Sequence, residues 1–399
     1  MNQKPVGIVA EFDPLHRGHA WLLAQIRAAE PEAPIVVAMS GRFTQRGGAA
    51  VLSPLRRAEI ALRCGADLVL ELPLTWAISS AQTFAAGGIA VLRCAGVKRV
   101  YCGSECADLR PLRSAAKSLS SPEYPELLRT ALAGGISFAA ARQTAVQVLA
   151  GTRAAQVLSS PNDLLAVSYL EAMGADMELV PVRRTGAAHN AAAANDGYAS
   201  ASLVRSLLLS GETEQALALL PEEAQCVVEQ AMADGEAPAS LRHAERAMLA
   251  RLRMMGPADF AALPDCSEGL EHRLHRAARQ AVSMEAFCET ARSRRYPLSR
   301  IRRLALWAFL GLDQSCHPAE LPYLRLLGMN GRGRSVLRAM DPEGLRVLST
   351  PGAGKKLSRQ AQAYLALESR AADLWQLCLP NVGECGSLWR ESAAIMSGE

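Results

Sequence analysis

Two histidines three residues apart bracket a glycine in the stretch Gly7-Ile8-Val9-Ala10-Glu11-Phe12-Asp13-Pro14-Leu15-His16-Arg17-Gly18-His19-Ala20. A β-like apolar run comes first, a proline-containing turn follows, and His-x-Gly-His opens a helical pattern. Backbone N–H groups at a helix start attract anions, and glycine lets a phosphate approach the main chain closely. Histidines at i and i+3 project to the same side of a first helical turn. Imidazoles so placed can donate hydrogen bonds to the extra negative charge that builds on an α-phosphate during in-line attack. Ordinary helix-start histidines or metal ligands are the competing reading. The coincidence of strand, glycine and helix favours the phosphate. The loop is not a Walker A loop, because the Gly-Lys-Ser/Thr ending is missing, and no Gly-x-Gly-x-x-Gly loop is present.

The elements that would position this loop are short apolar runs alternating with longer helical patterns over the first half of the chain. Strands are expected at Val6 to Ala10, Ile35 to Met39, Asp67 to Leu72, Arg99 to Cys102 and Met177 to Val182. Helices are expected around Ala20 to Ala29, Leu55 to Cys64, Ala81 to Cys94 and Pro161 to Met173. The pattern is α/β, a Rossmann-like doubly wound parallel sheet, whose ligands bind beyond the carboxyl ends of the strands. The informative residues should follow the strands: Glu11 to His19, Ser40 to Arg46, Gly103 to Glu105 and Arg183 to His189. Beyond residue 211 the β-branched runs almost vanish. Helices are expected at Pro221 to Ala233, Leu241 to Met255, Glu268 to Phe287, Ser299 to Leu310 and Leu357 to Leu377, so residues 212–399 read as a mainly α-helical domain after an α/β domain at 1–211.

The chain has 399 residues and a net charge of +4. At ~150 residues per domain this gives two or three units able to bury their own cores. Thirty-eight of the 43 basic residues are Arg. Residues 212–241 hold seven acids and no Arg or Lys, whereas residues 242–338 hold 17 Arg against nine Asp and Glu, a net +8. The small total therefore conceals a basic region, densest at Ala291 to Arg303 with six arginines and no acid. Together with Arg325, Arg332 and Arg334 it is a candidate phosphate-binding surface, and Tyr296 and Trp307 are candidate stacking residues for an unpaired base, although Trp307, in an apolar run, reads first as a core residue. The ten cysteines are scattered without repeating spacing, and Cys102 and Cys106 have no second pair at a zinc-like distance, so neither a disulfide framework nor a protein-held metal is expected. No apolar run approaches the ~18 residues of a membrane span. No signal-peptide core precedes the first strand, and a cytoplasmic protein is expected.

His16-Arg-Gly-His19 resembles the signature of the nucleotidyltransferase superfamily that includes cytidylyltransferases, adenylyltransferases and class I aminoacyl-tRNA synthetases. The resemblance narrows along the chain. Gly7 to His19, Met39-Ser-Gly-Arg-Phe-Thr-Gln-Arg-Gly47, Gly65-Ala-Asp-Leu-Val-Leu-Glu-Leu-Pro73, Pro161-Asn162-Asp-Leu-Leu-Ala, the Arg183-Arg184 turn before His189, and Ser200-Ala-Ser202-Leu-Val-Arg205 are similar to the bacterial tRNA(Met) cytidine acetate ligase family. So are Glu268-Gly-Leu-Glu-His-Arg273, Arg295 to Arg303 and Leu327 to Arg334. Asp13, Leu15, Arg17 and Arg42 depart from the residues usual there.

The resemblance implies an ATP-dependent ligase that makes acetyl-adenylate from acetate, then acetylates N4 of the wobble cytidine of elongator tRNA(Met) to N4-acetylcytidine. It implies ATP with Mg²⁺ as cofactors, and tRNA(Met) and acetate as partners. It implies His16 and His19 as catalytic residues. Gly7, Ile8, Val9, Ala10, Glu11, Phe12, Asp13, Pro14, Leu15, His16, Arg17, Gly18, His19 and Ala20 form the ATP loop, completed by Gly103, Asn162 and the Arg183-Arg184 pair. Ser202 and Arg205 would hold the outer phosphates. A small-molecule adenylyltransferase would use the same loop but leaves the Arg-rich second half unexplained, and an ATP-binding RNA-binding protein without catalysis is the other alternative.

Overall fold

The computed structural model describes residues 4–184, 199–341 and 344–396. Five parallel strands, β1 (Val6–Ala10), β2 (Ile35–Ser40), β3 (Leu68–Leu72), β4 (Arg99–Ser104) and β5 (Glu178–Arg183), lie where the apolar runs predict them to within two residues. They share one sheet with β6 (Leu324–Met329), β7 (Val347–Leu348) and β8 (Ala394–Ile395), in the order β5-β4-β1-β2-β3-β6-β7, with β8 also on β6. Only β6 against β3 is antiparallel among these pairings. The order reverses between β1 and β4, which makes their carboxyl ends the switch point of a doubly wound sheet.

Every residue of β2 and β3 is buried, as expected of strands covered on both faces. Successive side chains sort to opposite sides with period two. Val36, Ala38, Leu68 and Leu70 join one core, whereas Ile35, Val37, Met39 and Val69 join the other. The helix Ala81–Cys94 sits close enough to β1 that a Cβ on Gly88 would lie 2.6 Å from Val9 Cγ1.

A third core fills a helical layer, with Leu252, Leu274, Phe287, Ile301 and Trp307 at its centre. The helix expected over Glu268 to Phe287 is two helices, Leu270–Gln280 and Met284–Ala291. Ser283 interrupts it by capping the second, its hydroxyl accepting from Ala286 N at 3.0 Å. This layer docks on the α/β part through Gly47 and Trp307. Gly47 has φ +78°, and a Cβ there would stand 2.6 Å from the backbone of Arg302 and Arg303. Trp307 donates from Nε1 to Ile78 O at 2.9 Å.

The expected division at residue 211 is not the one the fold makes. Helices Thr213–Leu217 and Glu222–Ala233 cover one face of the sheet, and β6, β7 and β8 extend it. The helix Arg359–Gln376 contributes Tyr364 and Leu365 to a sheet core and Leu367 and Trp375 to the helical one. Burying the β3 edge requires a strand from the far end of the chain, so the second half belongs partly to the first unit. All ten cysteines are free. Among the described residues no helix is long and apolar enough to cross a membrane.

Candidate functional site

The chain leaves β1 through Glu11 and Phe12, the latter at φ +47°, and enters the helix Arg17–Ala29 with His16 as its cap. His16 Nδ1 accepts from Gly18 N at 3.1 Å, and His16 N donates to His19 Nδ1 at 3.3 Å. The rings stack 3.8 Å apart, and Phe12 meets His19 edge-on at 5.1 Å. Both Nδ1 atoms act as acceptors, so this hydrogen bonding assigns each ring proton to Nε2. Two N–H donors and the positive end of a helix thus converge where an anion can sit.

The loop is held by a residue that sequence reasoning missed. Arg57, from the helix Pro54–Arg63, is fully buried and donates to the carbonyls of Glu11 (2.5 Å), Ser40 (3.1 Å), Leu52 (3.2 Å) and Gly41. One guanidinium therefore ties the end of β1 to the end of β2. Burial lowers its pKa, opposed by Asp13, Glu11 and Glu71. Asp13 Oδ1 accepts from Val51 N at 2.7 Å, and Arg205 Nη1 donates to Asp13 O at 2.6 Å. Glu11 Oε1 accepts from Gln45 N at 2.7 Å, and burial raises the Glu11 pKa against that bond.

These groups open into a cavity of ≈ 680 Å³, well within the size range of small-molecule sites. From the expected loop, Ile8 through Asp13, His16, Gly18 and His19 line it. The other five do not. Gly7 packs under Leu92 and Val97, Pro14 and Leu15 are buried elsewhere, Arg17 points to Leu220 O, and Ala20 lies outside the lining. Gly103, Asn162, Arg184, Ser202 and Arg205 all line the cavity. Glu105 accepts from Asn162 Nδ2 at 2.6 Å, which leaves Oδ1 as that amide's acceptor. Ser202 lies in the first turn of the helix Ala201–Ser210, so a second helix start faces the space, and its hydroxyl accepts from Arg205 Nη2 at 3.0 Å.

Arg183 and Arg184 part company. Arg184 faces the cavity beside Gly103, whereas Arg183 is exposed and donates to Cys106 O at 3.3 Å. Neighbours at the end of a strand point opposite ways, so one of the pair had to turn outward. His189 lies outside the described residues. Arg142 and Arg46 also line the space without having been singled out as individuals, and the helical layer adds Pro297, Ser299 and Arg303.

The expected basic surface is smaller than its arginine count. Arg325 is buried between Glu71 (2.8 Å) and Glu391 (3.2 Å). Arg332 is tied to Pro31 O at 2.9 Å, near the amino ends of the strands and away from the cavity. Tyr296 is buried with Oη on Glu268 O, and Trp307 is core, so neither is a stacking platform. Arg303 is half-buried and faces the cavity. Arg292, Arg294, Arg295 and Arg302 stay exposed. The unusual Arg42 is buried against Glu391 (2.5 Å) and lies over the Trp375 ring.

Residues 3–386 match the family model of the HIGH nucleotidyl transferases. A tRNA(Met) cytidine acetate ligase of Fervidobacterium nodosum is 31% identical over 90% of this chain and 87% of its own. One of Syntrophotalea carbinolica is 35% identical over 94% of both. The crystal structure of apo Thermotoga maritima TmcAL superposes with a TM-score of 0.93 at 29% identity, over 99% of this chain and 100% of that one. The form bound with alpha-thio ATP superposes with a TM-score of 0.90 at 28% identity over the same shares. A nucleotidyltransferase loop at the switch point and a match along nearly the whole chain lead to one assignment: this chain belongs to the HIGH nucleotidyltransferases and, among them, to the tRNA(Met) cytidine acetate ligase family.

Proposed function

We propose that this chain is an ATP-dependent tRNA(Met) cytidine acetate ligase working in the cytoplasm. The observation that carries the reading is the pair of Nε2–H imidazoles at a helix start, facing Arg184, Ser202 and Arg205 across one cavity. An acetate oxygen attacks the α-phosphorus of ATP, the P–O bond to the β-phosphate breaks, and pyrophosphate leaves. Acetate is already an anion, so this step needs no general base. His16 and His19 donate to the charge that grows on the α-phosphate, and Arg184, Ser202 and Arg205 hold the departing phosphates. Gly103 and Asn162 border the space left for the nucleoside. Among the described residues no group of three or more His, Cys, Asp or Glu could hold a metal. Mg²⁺ would be held by the triphosphate oxygens, where it would neutralise phosphate charge. The acetyl group next passes to N4 of the wobble cytidine of tRNA(Met), brought in by the helical layer with its exposed arginines.

Incubation with labelled acetate, ATP and bulk tRNA, followed by nucleoside analysis, tests the whole reading. Labelled N4-acetylcytidine is expected. Pyrophosphate exchange that needs acetate but no acetylated nucleoside would leave a small-molecule adenylyltransferase instead. His16→Asn tests the site, because asparagine still caps the helix while removing the Nε2 donor. Acetate-dependent exchange should fall by ~10² to 10³, the usual loss for one such donor.

A further inference from the structure

The second half-reaction joins a weakly nucleophilic aromatic amine to a mixed anhydride, and a proton must leave the nitrogen as it does so. Resting on the ligase reading above, we propose that the Glu11 carboxylate is the general base of acetyl transfer, taking that proton from the N4 amine. The N4–carbon bond forms as one N4–H bond breaks toward Glu11. The bond between the acetyl carbon and the phosphate oxygen then breaks, AMP departs with that electron pair, and Glu11 later returns the proton to water.

Elimination across the cavity points to this group. Both histidines spend Nδ1 as an acceptor and carry their protons on Nε2, so they donate and cannot receive. Burial raises the pKa of Tyr169 and Cys102, which keeps them protonated. Asp13 is occupied by Val51 N and faces Arg205 Nη1 at 3.5 Å. Glu11 uses Oε1 on Gln45 N, and its Oε2 has no hydrogen-bond partner among the described residues.

Its place fits the step. Glu11 directly follows β1, between the β4–β5 wall that carries Gly103 and Arg184 and the loop after β2 that carries Gln45. The Gln45 carbonyl accepts from Arg303 Nη1 at 3.5 Å, and the next residue back, Arg302, is exposed. The carboxylate therefore lies on the side from which the helical layer reaches the cavity. Asp13, His16 and His19 face it from its own loop, and Arg46, Arg57, Tyr169 and Arg205 from other elements. Burial and Asp13 raise its pKa above 4.5, while Gln45 N–H, Arg205 and Arg57 oppose that rise.

Glu11→Gln is the test, since its amide oxygen can still accept from Gln45 N. Chemically prepared acetyl-adenylate is supplied with tRNA for single-turnover transfer, and acetate-dependent ATP–pyrophosphate exchange is read separately. Transfer should fall by ~10² or more, at least ~10-fold further than exchange, with Glu11→Asp recovering part of it. In the unaltered protein the transfer rate should drop tenfold per pH unit below the Glu11 pKa, and this limb should be missing in Glu11→Gln. Transfer within about threefold of the unaltered protein, or equal loss of transfer and exchange, overturns the proposal. If the variant does not fold, a flat transfer profile across the acidic limb in the unaltered protein overturns it as well. Absence of acetate-dependent exchange in the unaltered protein would refute the ligase reading instead.

Discussion

Replacing Arg57 with methionine should separate holding the loop from chemistry, because the side chain touches four carbonyls and lines no part of the cavity. Each hydrogen bond from a charged donor contributes ~1.5–3 kcal/mol, so four give ~6–12 kcal/mol before the opposing term. Keeping a guanidinium out of water costs several kcal/mol, and methionine recovers part of the apolar burial. The net loss should be ~3–5 kcal/mol, the range found when one partner of a buried charged cluster is removed. In urea the midpoint should fall with little change in slope. The folded fraction, held by low temperature or by ATP, should still show acetate-dependent exchange reduced by ~10², because a loop displaced by ~1 Å loses its alignment on the α-phosphate. Stability within ~1 kcal/mol of the parent together with full exchange would refute the view that Arg57 fixes the loop. Arg57→Lys is the companion, since one ammonium cannot span carbonyls from Glu11, Ser40 and Leu52, and it should recover only a minor share.

Arg184→Ala should raise the dissociation constant for ATP by ~10-fold or more, the worth of one charge-assisted phosphate contact, and by several-fold more than Arg183→Ala in the same titration. Burial and the neighbouring Glu71 push Glu368 up to about 7, outweighing the bonds it accepts from Tyr323 Oη and Leu74 N. A carboxyl with a raised folded pKa binds more protons folded than unfolded, so stability should decline as pH rises from about 4.5 to about 7. Glu368→Gln should flatten that decline in denaturation midpoints taken across the window, and an unchanged slope would count against it. Arg302→Ala should weaken tRNA binding and reduce the slope of log affinity against log salt by ~1 while sparing exchange, whereas Arg303→Ala should impair reactions inside the cavity.

Arg56 and Arg57 show what the sequence could and could not reveal. The two are adjacent on one helix and identical in type, yet Arg56 pairs with Asp234 and Glu236 near the surface while Arg57 is wholly buried. Only tertiary packing tells them apart, because the carbonyls that need Arg57 come from two different loops. The His-x-Gly-His segment was legible for the opposite reason. Strand, turn, cap and helix are contiguous, so local rules suffice to place both imidazoles. The β1 to β5 runs were legible because strands buried on both faces read as unbroken apolar stretches. β6 was not, since nothing local tells Leu324–Met329 to return across some 250 residues and pair antiparallel with β3. Helices Leu109–Leu119, Tyr124–Ala133 and Phe138–Ala150 also went unread. Phe138–Ala150 is a weakly sided, Ala-rich helix, and Tyr124–Ala133 buries no residue.

The arginine count between residues 242 and 338 overstates the charge left free for a partner. A net +8 between residues 242 and 338 suggests one continuous phosphate-binding face, but a charge can be answered inside the protein. Arg325 meets Glu71 and Glu391, Arg300 and Arg273 donate to backbone carbonyls, and Arg303 turns into the cavity. What remains exposed around the start of the helix Leu298–Phe309 is Arg292, Arg294, Arg295 and Arg302, and Glu289 and Glu268 already pair with two of these. Exposed pairs are weak, and an RNA phosphate can compete for both guanidiniums. Arg242, Arg246, Arg276 and Arg279 are exposed elsewhere in the layer, but the group around Leu298–Phe309 is the one that adjoins the segment carrying Arg303 into the cavity. Under the ligase reading, a phosphate held by these arginines would lie beside Pro297, Ser299 and Arg303, the residues through which the helical layer lines the cavity.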